Sequence, residues 1–325
     1  MPRLAGYRIL RTALFSLAWL LMAASCVREN IEGCPVTVEL RFRYFGDGIT
    51  DHFGERVDSV SMWVYRPDGS FHSSTMISQV SLDTLQGVRL SLPEGDWRLV
   101  FWGNDGDGSE VLADDHEEHI APVEYRVGRM PSSLEQFYYG AAAISLPLSL
   151  RVQRDTVDFA AASIGFTIEF VGFITTEAAL TAAGSAVIAG RAGLRASSGS
   201  APLHFVHSGM HAAIGSDGTP SRTRTDWQPE LTADTAGRDL LTARYRTPRF
   251  DDSDCGELQI WDSPQRQTLL WSQDLASILS EQGISTEGRD EVEVRLRIVR
   301  RIDSVTGYVT IEVIPWNTEI IYPIL

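Results

Sequence analysis

Val36-Thr-Val-Glu-Leu-Arg-Phe-Arg-Tyr44 (VTVELRFRY) alternates apolar and polar side chains along its whole length. A period of two belongs to a β-strand, because successive side chains leave opposite faces of a pleated chain. Val36, Val38, Leu40, Phe42 and Tyr44 then form one face and charged residues the other. The pattern recurs at Val57–Tyr65 (VDSVSMWVY) and most cleanly at Glu291–Val299 (EVEVRLRIV). Turn chemistry lies between such stretches, at Arg66-Pro-Asp-Gly69, Pro93-Glu-Gly-Asp96 and Asp303–Gly307. Proline presets φ in these turns and glycine supplies positive φ. Return strands are expected from Phe71, at Trp97–Gly103 (WRLVFWG) and at Tyr308–Ile314, with a short strand at Val88–Leu92. Hairpins at regular spacing, with no convincing helix between them in the first half, predict an all-β protein built as antiparallel sandwiches.

Beyond these hairpins the reading is coarser. Ser133 and Gln136 have capping-box spacing and suggest one helical turn within Ser132–Tyr139. Ile144–Val152 reads as strand, and a first domain is expected to end around Gln153–Asp155, giving domains 35–154 and 155–325. The second half opens with the β-rich run Val157–Phe173. Ala178–Ser200 is Ala/Gly/Ser-rich, with a strand expected near Ser185–Ala189, and His207–Arg224 looks loop-like. Leu240–Arg246, Leu258–Trp261 and Leu269–Ser272 read as strands. Ser272–Gly283 reads as a short helix with Leu275, Ile278 and Leu279 on one face and Gly283 as its stop. An apolar tail, Glu319–Leu325, closes the sequence.

The segment before Val36 carries an address. Arg3, Arg8 and Arg11 precede an apolar core at Ala13–Ala23, then small residues and Cys26. A positive start, a short apolar core and a small-residue cut site make a secretory signal over residues 1–25. That core falls short of the roughly 20 apolar residues of a comfortable membrane span. Cysteine directly after the small residues resembles the bacterial lipobox, which implies lipidation of Cys26 by acyl chains such as palmitate. Ala23 stands where the commonest lipoboxes have Leu. Residues 26–34 then form a polar tether, in which Glu29 and Glu32 resemble the signal for display on the outer face of Bacteroidales cells.

The net charge of −15, with 28 basic residues that are all arginine, argues against a nucleic-acid partner. Cys34 and Cys255 lie far apart in sequence and read as separate thiols rather than a bridge. No G-x-S-x-G elbow, P-loop, G-x-G-x-x-G or C-x-x-C occurs, so no enzymatic reaction and no cofactor are expected. His204, His207 and His211 have metal-ligand spacing only on a helix, and their surroundings favour solvated loop histidines. Asn104–Glu110 (NDGDGSE) has the flavour of a calcium loop. Glu110 stands where an EF-hand needs Gly, and no Glu occupies the twelfth position. Asp114–Glu118 and Asp251–Asp254 read as solvated acidic runs. Trp97 and Trp102 have opposite parity on one strand, so at most one should face the core; the other is expected at the sandwich rim, with stacking on a sugar as the alternative.

Several stretches together resemble the FimB-type fimbrial anchor family of Bacteroidales, relatives of the fimbrillins. They are Cys26 with Cys34-Pro35, the strand and turn Val60–Gly69, Leu92-Pro-Glu-Gly-Asp-Trp97 through Phe101-Trp-Gly-Asn104, Phe137-Tyr-Tyr-Gly140, Asp274-Leu275, and Val313-Ile-Pro-Trp316. The resemblance spans nearly the whole chain after the signal, with 178–200 and 207–230 fitting least. It implies two tandem transthyretin-like sandwiches in an outer-membrane lipoprotein that attaches a fimbria to the cell surface by β-strand exchange with fimbrial subunits. A surface glycan-binding lipoprotein and a fibre-forming fimbrillin are the alternatives. The tail 319–325 is then either a strand given to a neighbour or the completion of its own domain.

Overall fold

The computed structural model describes residues 35–106, 109–114, 117–147, 152–173, 203–234, 239–303, 306 and 308–318. The signal, Cys26, Cys34, the tether, the strand expected at 185–189 and the tail 319–325 lie outside these residues.

The first part of the chain forms β1 (Val36–Tyr44), α1 (Phe53–Arg56), β2 (Val60–Tyr65), β3 (Phe71–Met76), α2 (Gln79–Leu85), β4 (Gly87–Leu92) and β5 (Gly95–Gly103). After these come β6 (Ser109–Asp114), β7 (Glu117–Pro122), α3 (Val123–Arg126), β8 (Tyr138–Leu146) and β9 (Val152–Ala161). One sheet runs in the order β3-β2-β5-β8-β9-β1-β4. It folds over at the β8/β9 corner, where pairing is confined to Tyr138–Ala161 and Tyr139–Ala160. Its two halves therefore face each other as a sandwich, and Phe42 on β1 meets Phe101 on β5 with ring centroids 5.1 Å apart. The apolar face of β1 is buried throughout, from Val36 to Tyr44. Its polar face is a cross-strand ladder in which Glu39 accepts from Arg89 at 2.8 Å and lies 3.5 Å from Arg154.

The second part forms β10 (Ser163–Val171), β11 (His204–His211), β12 (Ile214–Gly215), β13 (Arg224–Trp227), β14 (Leu231–Ala233), β15 (Leu240–Pro248) and β16 (Glu257–Trp261). It is completed by β17 (Leu269–Asp274), α4 (Leu275–Gln282), β18 (Glu293–Ile302) and β19 (Val309–Ile314). A five-stranded sheet, β14-β15-β10-β18-β19, faces a four-stranded one, β13-β11-β16-β17. Phe166, Phe170, Phe205, Tyr245, Ile260 and Ile298 fill the space between them. Helix α4 buries Leu275, Ile278 and Leu279. Its N-cap is Asp274, which accepts from the Ser277 amide, rather than Ser272, because β17 continues through Ser272. Gly283, at φ 63°, ends it in the left-handed region as expected.

Most strand pairs are antiparallel, and each sandwich adds one parallel pair, β1–β9 and β10–β18. Strand β9 carries the first sheet on to Ala161, beyond the Gln153–Asp155 stretch, and β10 opens the second sheet at Ser163. No helical turn forms at Ser132–Tyr139. Ser133 there accepts from the Arg246 amide, stitching the segment to β15 instead. Helix α2 was not anticipated: Ser78 caps it, Gln86 at φ 45° ends it, and it buries only Leu82.

The two sandwiches share a wall. On β5, Trp97, Leu99 and Phe101 enter the first core, whereas Val100 and Trp102 enter the second, together with Tyr65 of β2. Polar groups close the junction around this wall. Arg249 donates to the carbonyls of Ala161 (3.4 Å), Asp290 and Thr286 (both 3.2 Å). Asp290 accepts from the Ala161 amide at 2.7 Å, Tyr44 donates to Glu291 at 3.2 Å, and Arg98 donates to the Ser216 carbonyl at 2.7 Å.

Candidate functional site

The chemistry-bearing residues singled out in the sequence are mostly spent on structure. His204, His207 and His211 lie on β11 and are buried, which corrects the expectation of solvated loop residues. The polar look of 207–224 misled because His207 and His211 find partners inside the fold, whereas Nε2 of His204 is buried without one. Nε2 of His207 lies 2.8 Å from the Cys255 carbonyl and Nδ1 lies 3.0 Å from the Tyr245 hydroxyl. A carbonyl only accepts, so Nε2 carries the proton and Nδ1 accepts from tyrosine. Burial pushes the His207 pKa down to about 4, against the opposing pull of the Cys255 carbonyl and the Asp226 charge. Burial, with Arg266 nearby, also lowers the pKa of His204. His204 and His207, three residues apart on a strand, leave opposite faces. Among the described residues no group of His, Cys, Asp and Glu is placed to hold a metal ion.

The acidic motifs divide similarly. Asp252 accepts from the Thr286 and Ser285 hydroxyls at 2.6 and 2.7 Å, pinning the loop after α4. Burial alone would raise its pKa, but those hydrogen bonds hold it below the usual carboxylate range. Asp254 pairs with Arg224. Asp105 is half-buried and its pKa is raised by burial. Residues 107–108 and 115–116, within the other two acidic stretches, lie outside the described residues. Cys255 is a free, buried thiol whose pKa burial and three nearby aspartates push up to about 12. Trp97 and Trp102 are both buried, at 8% and 2% exposure. The expectation that at most one would face a core fails because the wall strand β5 is covered on both faces, and neither offers a sugar platform.

Among the described residues, sheet edges remain open at the terminal strands, among them β3, β4, β14 and β19, and one more lies within the seven-stranded sheet. Over Val152–Phe159, β9 pairs with β1 on one side, and among the described residues no strand lies on the other. In the second sandwich β18 also has a parallel neighbour, and there β19 covers its far side. A row of unpaired amides and carbonyls is a template for an added strand. A groove of about 930 Å³ runs past this region, lined by Leu40, Phe53, Val57 and Leu82 with Arg154 and Thr156 of β9. Its lining is mostly polar, with Glu39, Arg41, Asp83 and Asp155 beside those apolar side chains.

The family model for fimbrillin-A associated anchor proteins Mfa1 and Mfa2 matches residues 31–322, and the chain belongs to that family. The fold is similar to the fimbrial anchor protein Mfa2 from Porphyromonas gingivalis, with a TM-score of 0.65 at 12% identity over 87% of this chain and 98% of that one. A candidate adhesin from Bacteroides ovatus gives 0.61 at 15% identity, over 90% and 96% of the two chains. A candidate polysaccharide-binding protein from Bacteroides thetaiotaomicron gives 0.58 at 12% identity, over 85% and 97%. No curated protein matches significantly. Membership associates the chain with fimbriae, cell adhesion and the cell surface.

Proposed function

We propose that this chain is a lipid-anchored base subunit that holds a fimbria on the outer membrane, with Cys26 carrying the lipid and β9 receiving a strand from a fimbrial subunit. The open β9 edge beside its groove is the observation that carries the strand-exchange part. The lipid part rests on the signal-like sequence before Cys26. The two sandwiches are read as two domains joined at Ala162.

The direction of β1 supports this arrangement. It starts at Val36, opposite Leu92, with Thr37 opposite Val152, and ends at Tyr44, beside Glu291 of the second sandwich. The tether thus enters at the end of the first sandwich away from the second. A chain held at Cys26 would present its second sandwich outward. A fibre-forming subunit is the competing reading, and N-terminal processing separates the two.

The test is intact-mass analysis of the protein from outer membranes, with fibre retention scored for the wild type, Cys26→Ala and Thr156→Pro. The proposal expects an acylated N-terminus at Cys26, loss of surface-held fibres in Cys26→Ala, and loss of fibres with lipid retained in Thr156→Pro, since proline removes the Thr156 amide, which donates to Asp155 at 2.7 Å and would turn to an incoming strand. An unlipidated chain beginning after an internal arginine would overturn the anchor reading. Fibres unaffected by Thr156→Pro would overturn the choice of β9.

A further inference from the structure

We propose that the outward face of the five-stranded sheet binds an acidic polysaccharide, with Arg244 and Arg246 as its cationic groups and Trp316 as its aromatic one. The inference is independent of the lipid and of strand exchange.

Register places the arginines. Arg244 on β15 and Arg295 on β18 both pair with Thr167 of β10, so they flank it on either side. Two interstrand spacings separate their Cα atoms by roughly 10 Å. Arg246 and Glu293 flank Gly165 in the same way. Because Gly165 has no side chain, the Arg246 guanidinium lies over it, within 3.5 Å of where a Cβ would stand.

The face carries an excess of positive charge. Glu169 is taken by Arg297 at 2.7 Å, Glu293 by Arg295 at 2.6 Å, and Glu312 by Arg301 at 3.0 Å. Arg244 and Arg246 make no ion pair among the described residues, although Arg246 is near enough to Glu293 to help lower its pKa. Two guanidinium groups outside any ion pair share one face in a chain of net charge −15. An anionic ligand gains from them, and arginine's planar fork suits carboxylates.

Trp316 selects the kind of anion. It is half-exposed, with the guanidinium carbons of Arg297 and Arg295 at 5.1 and 6.0 Å from its ring centroid. Arg297 also donates to the Thr318 carbonyl at 2.8 Å, which holds the segment carrying Trp316 against the sheet. A flat face with spaced guanidinium groups and an aromatic ring at its edge suits a chain of sugars bearing carboxylates. The sugar ring stacks on the indole while the carboxylates meet the arginines. A peptide strand would pair along the edge strand β19 and would not need the arginines of β15, which lie three strands away.

The experiment measures binding of the purified protein to polygalacturonate, with dextran as the neutral control and polyglutamate as the non-sugar polyanion. Wild type, Arg244→Ala/Arg246→Ala and Trp316→Leu are compared, with thermal melts to establish that each variant folds. The proposal expects polygalacturonate to bind and dextran not to bind. Each variant should lose about tenfold in affinity, and binding should weaken as salt screens the charges. Trp316→Phe should recover part of the loss. Equal binding of dextran, or full affinity in the double arginine variant, would overturn the proposal. Polyglutamate bound as tightly as polygalacturonate, with Trp316→Leu unaffected, would reduce the face to a nonspecific cationic patch and overturn it too.

Discussion

Acid should weaken this protein in a window set by His207. The side chain is fully buried and neutral, with its single proton committed to the Cys255 carbonyl. A second proton on Nδ1 would face the Tyr245 hydroxyl, which now donates to it, and the rings of Phe166 and Tyr245. Asp226 is the one nearby charge that favours protonation, and it does not offset burial. In the folded protein the imidazole takes its proton near pH 4, whereas in the unfolded chain it does so near pH 6.5. A depressed folded pKa means that the unfolded state binds more protons between those values. Stability is therefore full above about pH 7, falls as pH drops from about 6.5 to 4, and levels off below that as far as this group is concerned. At about 1.4 kcal/mol per pH unit, the loss across the window is about 3 kcal/mol. His204 acts in the same direction. The carboxylates held low by hydrogen bonds, such as Asp51 and Asp252, withdraw their contribution only at more acid pH, so the two effects separate. Urea unfolding followed by tryptophan fluorescence at steps from pH 7.5 to 4.5 measures the slope. In His207→Gln, which is less stable at neutral pH but has nothing to titrate, most of that slope should vanish. A wild-type stability flat over pH 6.5–4.5, or an unchanged slope in the variant, would refute the reasoning.

Other perturbations test the frame. Trp102→Ala removes a side chain buried between the two sandwiches and should cost about 3–5 kcal/mol, with loss of hydrogen-exchange protection in both β5 and the second core. Gly87→Ala places a Cβ 2.0 Å from the Leu40 carbonyl oxygen, which only backbone movement can relieve. It should destabilise by about 1–3 kcal/mol, with exchange protection lost first along the β1–β4 pairing. Cys255 should resist thiol reagents in the folded protein and label on unfolding, since burial and its raised pKa withhold the thiolate. Peptide mapping after labelling in buffer and in urea reads this directly.

The strands were legible where one face is wet. VTVELRFRY and EVEVRLRIV show their period because charges line the outward face of β1 and β18. Strand β10 (SIGFTIEFV) is buried on nearly every residue, so its alternation is blurred and it merged with β9 into one long β-rich run. Helix α2 escaped because it buries a single residue, leaving no apolar stripe to read. The histidines of β11 looked like loop residues because local sequence carries no sign of a Tyr245 hydroxyl or a Cys255 carbonyl, which come from 38 and 48 residues away. The tryptophans of β5 failed for a related reason. Opposite parity on a strand excludes two buried residues only if the sheet has one dry face, and coverage by a second sandwich is a tertiary fact. The cationic face was invisible because its arginines come from two strands far apart in sequence and meet only through their common neighbour β10.

That shared wall bears on how an anchored protein would carry load. A chain pulled at Val36 and held through its second sandwich transmits force along β1, whose ladders with β4 and β9 lie parallel to the pull and resist in shear. At the junction the load passes to Glu291 through Tyr44 and Arg56, and to the 286–290 loop through Arg249. Trp102 and Val100 are apolar contacts of the second core rooted in a strand of the first sheet. Separating the sandwiches would expose that face of β5 to water, take the Ala161 amide from Asp290 and take Arg98 from the Ser216 carbonyl. The junction therefore resists opening by burial and by polar satisfaction together.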